Sequence, residues 1–337
     1  MLTVIILFLC LAILLYFLLG GADFGAGIIE LFTSEANRQR TRSTSYQAIG
    51  PVWEANHMWL VIAVVILFVG FPNIYSVMCT YLHIPILAML MGIIARGTAF
   101  TFRHYDAIKG YRTQTLYNSI FIYSSFLTPL FLGIIAGSAL SRRIDTEATN
   151  FADAYIFCWL NGFSIAVGLF TVALCGFLAA IYLIGEADND FDIKRFFKKA
   201  KMLNIVAFFC GGLVFLAAET SNIRMAKWIF GNPVSLIAVI LASLSLVLLW
   251  VSINRGKRYI IRVFAAFQVS MILLSVGYTH YPYFITEKNG NHLSLLTDHA
   301  SASTVNVLGW ALVVGSLFIL PALGYLFYSF RGHTDHD

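Results

Sequence analysis

Long apolar runs recur along the whole chain and are separated by short polar segments. Each run approaches the roughly 20 residues that an α-helix needs to cross the hydrocarbon core of a bilayer. Runs of this length predict helices, because a membrane β-barrel would show short alternating strands. The pattern therefore predicts an all-α polytopic membrane protein. The nine predicted spans are Leu2–Leu19, Val52–Phe71, Tyr81–Phe100, Leu116–Leu140, Tyr155–Ile184, Leu203–Ala218, Val234–Ile253, Ile260–Tyr278 and Val305–Phe330.

The composition supports the same fold class. Hydrophobic residues make up 59% of the 337 positions and charged residues 12%, against about 25% charged residues in an ordinary soluble domain. The segments between the spans are too short for a soluble domain, so function is expected in or beside the membrane. For residues 186–202, the sequence favours a solvated loop over a helix that lies on the membrane surface.

Lys and Arg are distributed unequally between alternate segments. Sixteen lie in one set and five in the other, while Arg96 lies within the third span. Because basic loops stay in the cytoplasm, this bias predicts an outer N-terminus and a cytoplasmic C-terminus, as an odd number of spans requires. The basic set comprises Arg38, Arg40, Arg42, Arg103, Lys109, Arg112, Lys194, Arg195, Lys198, Lys199, Lys201, Arg255, Lys257, Arg258, Arg262 and Arg331.

Two further expectations follow from the positions of the charges. No basic residue precedes the first run, so it is expected to remain as a span rather than to be cleaved as a signal peptide. The net charge of +5 is explained by topology and by the membrane lipid beside the basic loops, so no nucleic-acid partner is expected.

Cysteine and histidine give no metal or haem pattern. The cysteines lie mostly within spans and form neither a CxxC pair nor a Cys/His cluster, so they are expected to pack as small apolar residues. Only His83 is deep enough in a span to suggest an axial haem ligand, and none is assigned. The cysteines are Cys10, Cys79, Cys158, Cys175 and Cys210, and the histidines at span ends, in loops or in the tail are His104, His280, His292, His299, His333 and His336.

Ionisable residues near the spans are few, and each is a candidate functional residue because a charge in hydrocarbon costs several kcal/mol. Asp23 follows the first predicted span within GADFGAG. Glu54 and His57 open the second span within GPVWEANHMWL, and Arg96 lies near the end of the third. In the predicted orientation all four lie toward the cytoplasm, so they are expected to form one polar cluster.

Glu54 and His57 stand three residues apart on a common helical face, where a carboxylate and an imidazole can share a proton network. Glu54 is therefore a candidate for reversible proton carriage. Gly25 and Gly27 would let a helix or a water molecule approach the backbone beside Asp23. Anchoring in the headgroup region remains an alternative for these polar residues, and a structural hydrogen-bonding role is the alternative for His57.

Three motifs, GADFGAG, GPVWEANHMWLV and ARGTAFTFR, resemble those of subunit II of cytochrome bd-type quinol oxidases and occur in the family's order. The resemblance covers the first hundred residues specifically, and the rest agrees in span number, hydropathy and length. It implies a single membrane domain, residues 1–337, built as two four-helix bundles (1–140 and 141–280) and a peripheral ninth helix (304–330).

The resemblance also implies the protein's partners. A haem-bearing subunit I would hold haems b and d and the quinol site, and some members carry a very small third subunit. The complex would oxidise quinol and reduce dioxygen to water in the cytoplasmic membrane of a bacterium or archaeon. This chain would then hold no catalytic residue. Some members bind a structural quinone or lipid in this subunit, which is a possible ligand here, and no residue of this sequence is assigned to it.

Carried onto this sequence, the family's cytoplasmic proton route passes through Glu54, where many relatives have Asp. Asp23 is a candidate second proton site. Family members often have another acidic residue at the position of Gly20, which puts a second relay carboxylate in doubt. Further polar residues are expected to support the route, with Arg96 and Arg103 matching paired arginines of the family. These supporting residues are Trp53, Asn56, His57, Arg96 and Arg103.

A proton-coupled secondary transporter is the alternative function. The same carboxylates would then couple proton movement to a solute. This mechanism requires broken helices near the midplane, for which Pro85, Pro129 and Pro321 are candidates. The sequence shows no matched pair of interrupted spans and no convincing repeat, and a purely structural membrane scaffold is the third alternative.

Overall fold

The computed structural model describes residues 1–105, 111–187 and 189–331, so Lys109, His333 and His336 lie outside the described residues. Within these ranges the chain forms fourteen α-helices, one π-helical turn at Tyr16–Gly20, and one two-stranded antiparallel hairpin. The elements are α1 Leu2–Leu15, α2 Gly21–Leu31, α3 Glu35–Ile49, α4 Trp53–Gly70, α5 Pro72–Tyr81, α6 His83–Tyr105, α7 Tyr111–Leu140, α8 Phe151–Tyr155, α9 Gly162–Glu186, α10 Asp190–Thr220, α11 Met225–Phe230, α12 Pro233–Asn254, α13 Arg258–His280, β1 Tyr283–Ile285, β2 Leu293–Ser294 and α14 Ala302–Arg331.

The all-α fold and the number of spans are confirmed. In the described part of the chain, nine helical segments are long and apolar enough to cross a membrane. Helices α7 and α14 continue through Pro129 and Pro321, and Pro85 lies in the first turn of α6. The loop charges remain the basis for the predicted orientation.

The first span is longer than predicted. It runs from Leu2 to Leu31, because α1 and α2 are joined without a break by the π-helical turn. Asp23, predicted to follow the span, lies inside it and is 2% exposed. The Gly and Ala residues of GADFGAG lower the hydropathy, and this drop resembles a helix end in the sequence. In the structure these small residues are buried against neighbouring helices.

The solvated loop predicted for residues 186–202 is wrong. Helix α10 begins at Asp190, where the side chain of Asn189 accepts a hydrogen bond from the Phe191 amide at 2.9 Å and caps the helix. Such caps satisfy an otherwise unpaired N–H group of the first turn. Asp192 then pairs with Arg40 of α3 at 2.9 Å, which ties the start of α10 to α3.

Helix α9 is the central element of the fold. It packs against α2, α7 and α10, and most of its length is buried. Glycines permit these close crossings: a Cβ on Gly168 would lie 2.7 Å from the Leu130 carbonyl oxygen of α7. Small residues at such crossings let backbones approach, which is how helices commonly associate in membranes.

The other late spans lie at the edge of this core. Helices α12 and α13 pack as a pair, and α13 also contacts α9. Helix α14 packs against α1 and α4 and is otherwise largely exposed. These contacts suit the predicted peripheral place of the ninth span, whereas the division into residues 1–140, 141–280 and 304–330 stays a prediction.

The β1–β2 hairpin covers the end of α7. The Thr286 amide donates to the Ala139 carbonyl at 2.9 Å, and the Lys288 amide donates to the Ile144 carbonyl at 2.9 Å. The Lys288 ammonium also lies 2.7 Å from the Asp145 carboxylate. This hydrogen bond holds the pKa of Asp145 below its ordinary value. The loop between α13 and α14 is therefore attached to the bundle.

Candidate functional site

Asp23 is held at the junction of α2, α4 and α6. Asn56 Nδ2 of α4 donates to Asp23 Oδ2 at 3.1 Å, and Arg96 Nη2 of α6 donates to the Asp23 backbone carbonyl at 2.8 Å. The three residues are 2%, 4% and 1% exposed, respectively. The structure thus brings together three of the residues predicted from sequence.

Aromatic rings surround this group. The Arg96 guanidinium lies 5.2 Å from the ring centroids of both Phe24 and Phe121, so cation–π attraction offsets part of the cost of burying its charge. The His57 ring packs against Tyr16 and Phe24, with centroid distances of 5.9 and 5.6 Å. Asp23 therefore has a polar environment enclosed by apolar walls.

Four buried polar atoms beside Asp23 have no hydrogen-bond partner among the described residues. They are the hydroxyl of Tyr16, Oδ1 of Asn56, Nδ1 of His57 and Nε of Arg96. Buried polar groups in proteins are almost always satisfied by protein atoms or by ordered water. The four atoms belong to residues of three elements that pack around Asp23, and donors and acceptors of this kind are what internal water molecules bind.

A second buried carboxylate, Glu30, is absent from the residues predicted from sequence. Its Oε1 accepts a hydrogen bond from Arg42 Nε, and its Oε2 accepts one from Arg103 Nη2 at 2.8 Å. Glu30 is 2% exposed, and the Arg103 guanidinium lies 4.9 Å from the Phe121 ring centroid. Arg103 therefore belongs with Glu30 rather than with Asp23.

A signal for Glu30 was present in the sequence. Glu30 stands seven residues after Asp23 on one helix, and Arg103 stands seven residues after Arg96 on another. Residues seven apart lie on the same face of a helix, two turns along. The sequence thus predicts two acid–arginine layers, Asp23 with Arg96 and Glu30 with Arg103, once the first span is taken to continue to Leu31.

Glu54 does not join either layer, contrary to the expectation of one cluster with Asp23, His57 and Arg96. It lies in the first turn of α4 with its side chain exposed on the surface of this chain. Its neighbour Trp53 packs inward against Phe100, with ring centroids 5.6 Å apart. Successive helical residues point about 100° apart, so Asn56 faces nearly opposite to Glu54.

The glycines of GADFGAG act as expected. A Cβ on Gly25 would lie 2.0 Å from the Cys175 carbonyl oxygen of α9, and one on Gly27 would lie 2.3 Å from Ser125 Oγ of α7. No other residue would permit these approaches without movement of a helix. The motif therefore seats α2 between α7 and α9 and fixes the depth of Asp23.

The expectation that this chain binds no metal or haem stays a prediction. Within the described residues, no group of three or more His, Cys, Asp or Glu side chains is arranged to hold a metal ion. His83 opens α6, where its Nδ1 lies 2.8 Å from the Thr80 carbonyl oxygen.

Comparison with known proteins identifies the family. The family model for cytochrome bd terminal oxidase subunit II matches residues 1–330. The chain belongs to this family. It is 23% identical to a Bacillus subtilis cytochrome bd ubiquinol oxidase subunit 2 over 95% of this chain and 93% of the relative. An Escherichia coli K12 cytochrome bd-I ubiquinol oxidase subunit 2 is 22% identical over 94% and 90% of the two chains.

A solved structure shows the same fold. The chain resembles a chain of the bd oxidase from Geobacillus thermodenitrificans with a TM-score of 0.79, at 19% identity, over 99% of this chain and 100% of the other. The protein is thus a multi-pass membrane subunit of a cytochrome bd oxidase, which is an oxidoreductase complex. Membership as subunit II implies a partner subunit I.

Proposed function

We propose that this chain is the haem-free subunit II of a membrane quinol:oxygen oxidoreductase. It pairs with a haem-bearing subunit I and contributes a cytoplasmic proton-uptake route for the reduction of dioxygen to water. The names of the curated relatives support the quinol substrate. Protons are required because each oxygen atom of dioxygen leaves as water.

The exposed position of Glu54 is the observation that carries this proposal. Its carboxylate lies at the start of an outward face of α4 that continues through Val61, Val65 and Phe68, each at least 44% exposed. A carboxylate facing lipid would be costly, so this face is expected to be covered by protein or water at the level of Glu54. A carboxylate at a subunit boundary is well placed to pass protons to the partner.

Asp23 supports the same function as a candidate second proton site. Its carboxylate is buried and accepts a hydrogen bond from Asn56, and its backbone carbonyl accepts one from Arg96. Between Asp23 on α2 and Glu54 on α4 in the proposed route, the His57 ring packs against Phe24 and Trp53. The route would thus use one boundary carboxylate and one internal carboxylate.

The test is the Glu54→Gln variant of the complete complex. It is expected to slow quinol-driven oxygen reduction by about tenfold or more, since a positioned acid–base group contributes roughly 10²–10⁴-fold to rate, while haem content stays near normal. Glu54→Asp should retain most activity because it keeps a carboxylate. Glu35→Gln, at an exposed residue of the surface helix α3, is the control.

Unchanged turnover in Glu54→Gln would refute the proton role. Loss of the haems from the Glu54→Gln complex would also refute it, and would assign Glu54 to assembly instead. The transporter alternative gains no support from the helices, since the two spans with internal prolines are continuous within the described residues.

A further inference from the structure

The two acid–arginine layers are stacked along one groove between α2, α6 and α7. Seven helical residues rise about 10 Å, so Glu30 with Arg103 lies that far toward the cytoplasmic end from Asp23 with Arg96. The Phe121 ring of α7 contacts both guanidinium groups, at 5.2 and 4.9 Å. Both layers therefore contact the same aromatic ring and belong to one site.

A buried hydroxyl lies between the layers. Gly27 occupies the same face of α2 as Asp23 and Glu30, at spacings of four and three residues. Ser125 Oγ of α7 lies directly against Gly27, 2.3 Å from where a Cβ would stand. Ser125 is 0% exposed, and its hydroxyl has no hydrogen-bond partner among the described residues.

Ser124, the neighbouring residue, shows that the state of the Ser125 hydroxyl is unusual. Ser124 is also buried, but its hydroxyl donates to the Ile120 carbonyl at 2.6 Å within α7. Serine in a helix normally satisfies its hydroxyl in this way. Ser125 instead presents a free donor and acceptor to the groove, and an unsatisfied buried hydroxyl costs about 1–3 kcal/mol. A water molecule bound there would remove that cost.

The groove also has a cavity at its cytoplasmic end. Glu30, Arg42, Ser45 and Arg103 line it together with Phe121, and its volume is about 10 Å³, close to the minimum that holds one water molecule. Ser45 is 8% exposed, and its hydroxyl has no partner among the described residues. The cavity thus offers one water a hydroxyl and charged groups.

We infer that water enters this chain at the cavity between Glu30 and Ser45 and continues past Ser125 to Asp23. The inference rests on the proposed function for the reaction that consumes the protons. In each passage, Ser125 accepts a proton from the water on one side as it gives its own proton to the other side. The proton that enters is an excess proton of the cytoplasmic water, so each water and Ser125 is neutral again once it has passed the proton on. Only the Asp23 carboxylate changes charge, because it becomes neutral when it takes up the proton.

The arginines of the two layers do not take part in proton transfer. Guanidinium groups keep their protons at all ordinary pH values, so the arginines do not carry protons. Arg42 and Arg103 hold the Glu30 carboxylate, and Arg96 holds the backbone of Asp23. Glu30, paired with two of them, is a positioning residue at the entrance. The hydroxyls of Ser45 and Ser125 are the groups whose removal interrupts the water file without changing its charge.

The test compares Ser125→Ala with Ser124→Ala in the complete oxidase complex. Ser125→Ala is expected to slow quinol-driven oxygen reduction several-fold and to increase the rate ratio between H₂O and D₂O. Haem content and thermal stability should remain those of the unmodified complex. Ser124→Ala removes a hydroxyl that is already satisfied, so it should change neither rate nor isotope ratio. Identical behaviour of the two variants would overturn the inference.

A second variant and a cryo-EM map provide two further tests of the water file. Ser45→Ala, at the cytoplasmic cavity, should show the same slowing as Ser125→Ala, and unchanged turnover in both would overturn the inference. A high-resolution cryo-EM map of the complex should show water beside Ser125 Oγ. A map with side-chain density of that quality and no water there would contradict it.

These results separate the inference from the proposed function. If Glu54→Gln slows the complex and Ser125→Ala does not, proton uptake through Glu54 stands and the internal water file is wrong. If Ser125→Ala slows the complex and Glu54→Gln does not, the internal water file stands and the role of Glu54 is wrong.

Discussion

Replacing Gly25 by alanine should separate the two most tightly packed helices at the site. The added Cβ would lie 2.0 Å from the Cys175 carbonyl oxygen and 2.5 Å from Ala179 Cβ, both on α9. Real Cβ atoms essentially never lie within 3.0 Å of another heavy atom. Since the first obstacle is backbone, α2 and α9 must move apart by about 1 Å or more, and no side-chain rotation can relieve the contact.

The expected cost follows from this displacement. Overpacking of a well-packed interior costs about 1–3 kcal/mol, which lowers the ratio of folded to unfolded protein by between about fivefold and a hundredfold. Asp23 precedes Gly25 by two residues, so its 3.1 Å hydrogen bond to Asn56 should also lengthen. Stability and turnover should therefore fall together.

The assay is the temperature at which the purified complex loses half of its assembled fraction. Gly277→Ala is the matched control, because Gly277 lies in α13 and a Cβ there meets nothing within 4 Å. Alanine favours a helix over glycine by up to about 1 kcal/mol, so the control should be unchanged or slightly more stable. Equal midpoints for Gly25→Ala and Gly277→Ala would refute the packing argument.

Two further predictions concern charge pairs. Glu30→Gln leaves Arg42 and Arg103 facing a neutral amide and should destabilise the complex by up to about 3–5 kcal/mol. Glu30→Asp should have an intermediate effect. A thermal midpoint of Glu30→Gln equal to that of the unmodified complex would contradict the prediction. Because Lys288 lowers the pKa of Asp145, their contact should be fully present above the ordinary pKa of about 3.9 and be lost as pH falls through the lowered value. The protection of the Lys288 amide, measured as its exchange rate relative to the intrinsic rate at each pH, should fall in that acid range. Asp145→Asn should remove this pH dependence, and protection that stays constant through the acid range in the unmodified protein would refute the prediction.

The membrane fold was predictable because length and hydropathy determine it. Apolar runs near 20 residues identify spans whatever their packing. Span ends were less predictable, since Asp23 within a run of small residues lowers the local hydropathy as a helix end would. Only the packing of Gly25 on α9 shows that the helix continues. The charged start of α10 was mistaken for a loop for a related reason, because its charges are paired with residues distant in sequence, such as Asp192 with Arg40.

The candidate site was predictable in part. The motifs brought Asp23, Asn56 and Arg96 to one depth, and in the structure Asn56 bonds the Asp23 carboxylate while Arg96 bonds the Asp23 backbone carbonyl. Glu30 was missed because the sequence placed it in a loop, where a carboxylate is solvated and needs no arginine beside it. In a buried helix the same carboxylate requires a charged partner. The outward direction of Glu54 depends on which face of α4 packs inward, and the nearly uniform apolar sequence after Trp59 does not reveal that face.

Purification of the complex through a tag on this chain tests the central claim most directly. In a mild detergent, the reduced-minus-oxidised absorption spectrum should show b- and d-type haem bands, with a second large subunit present in fixed ratio to this chain. A folded, purified chain with no haem absorption and no second subunit would contradict its assignment as half of a quinol oxidase.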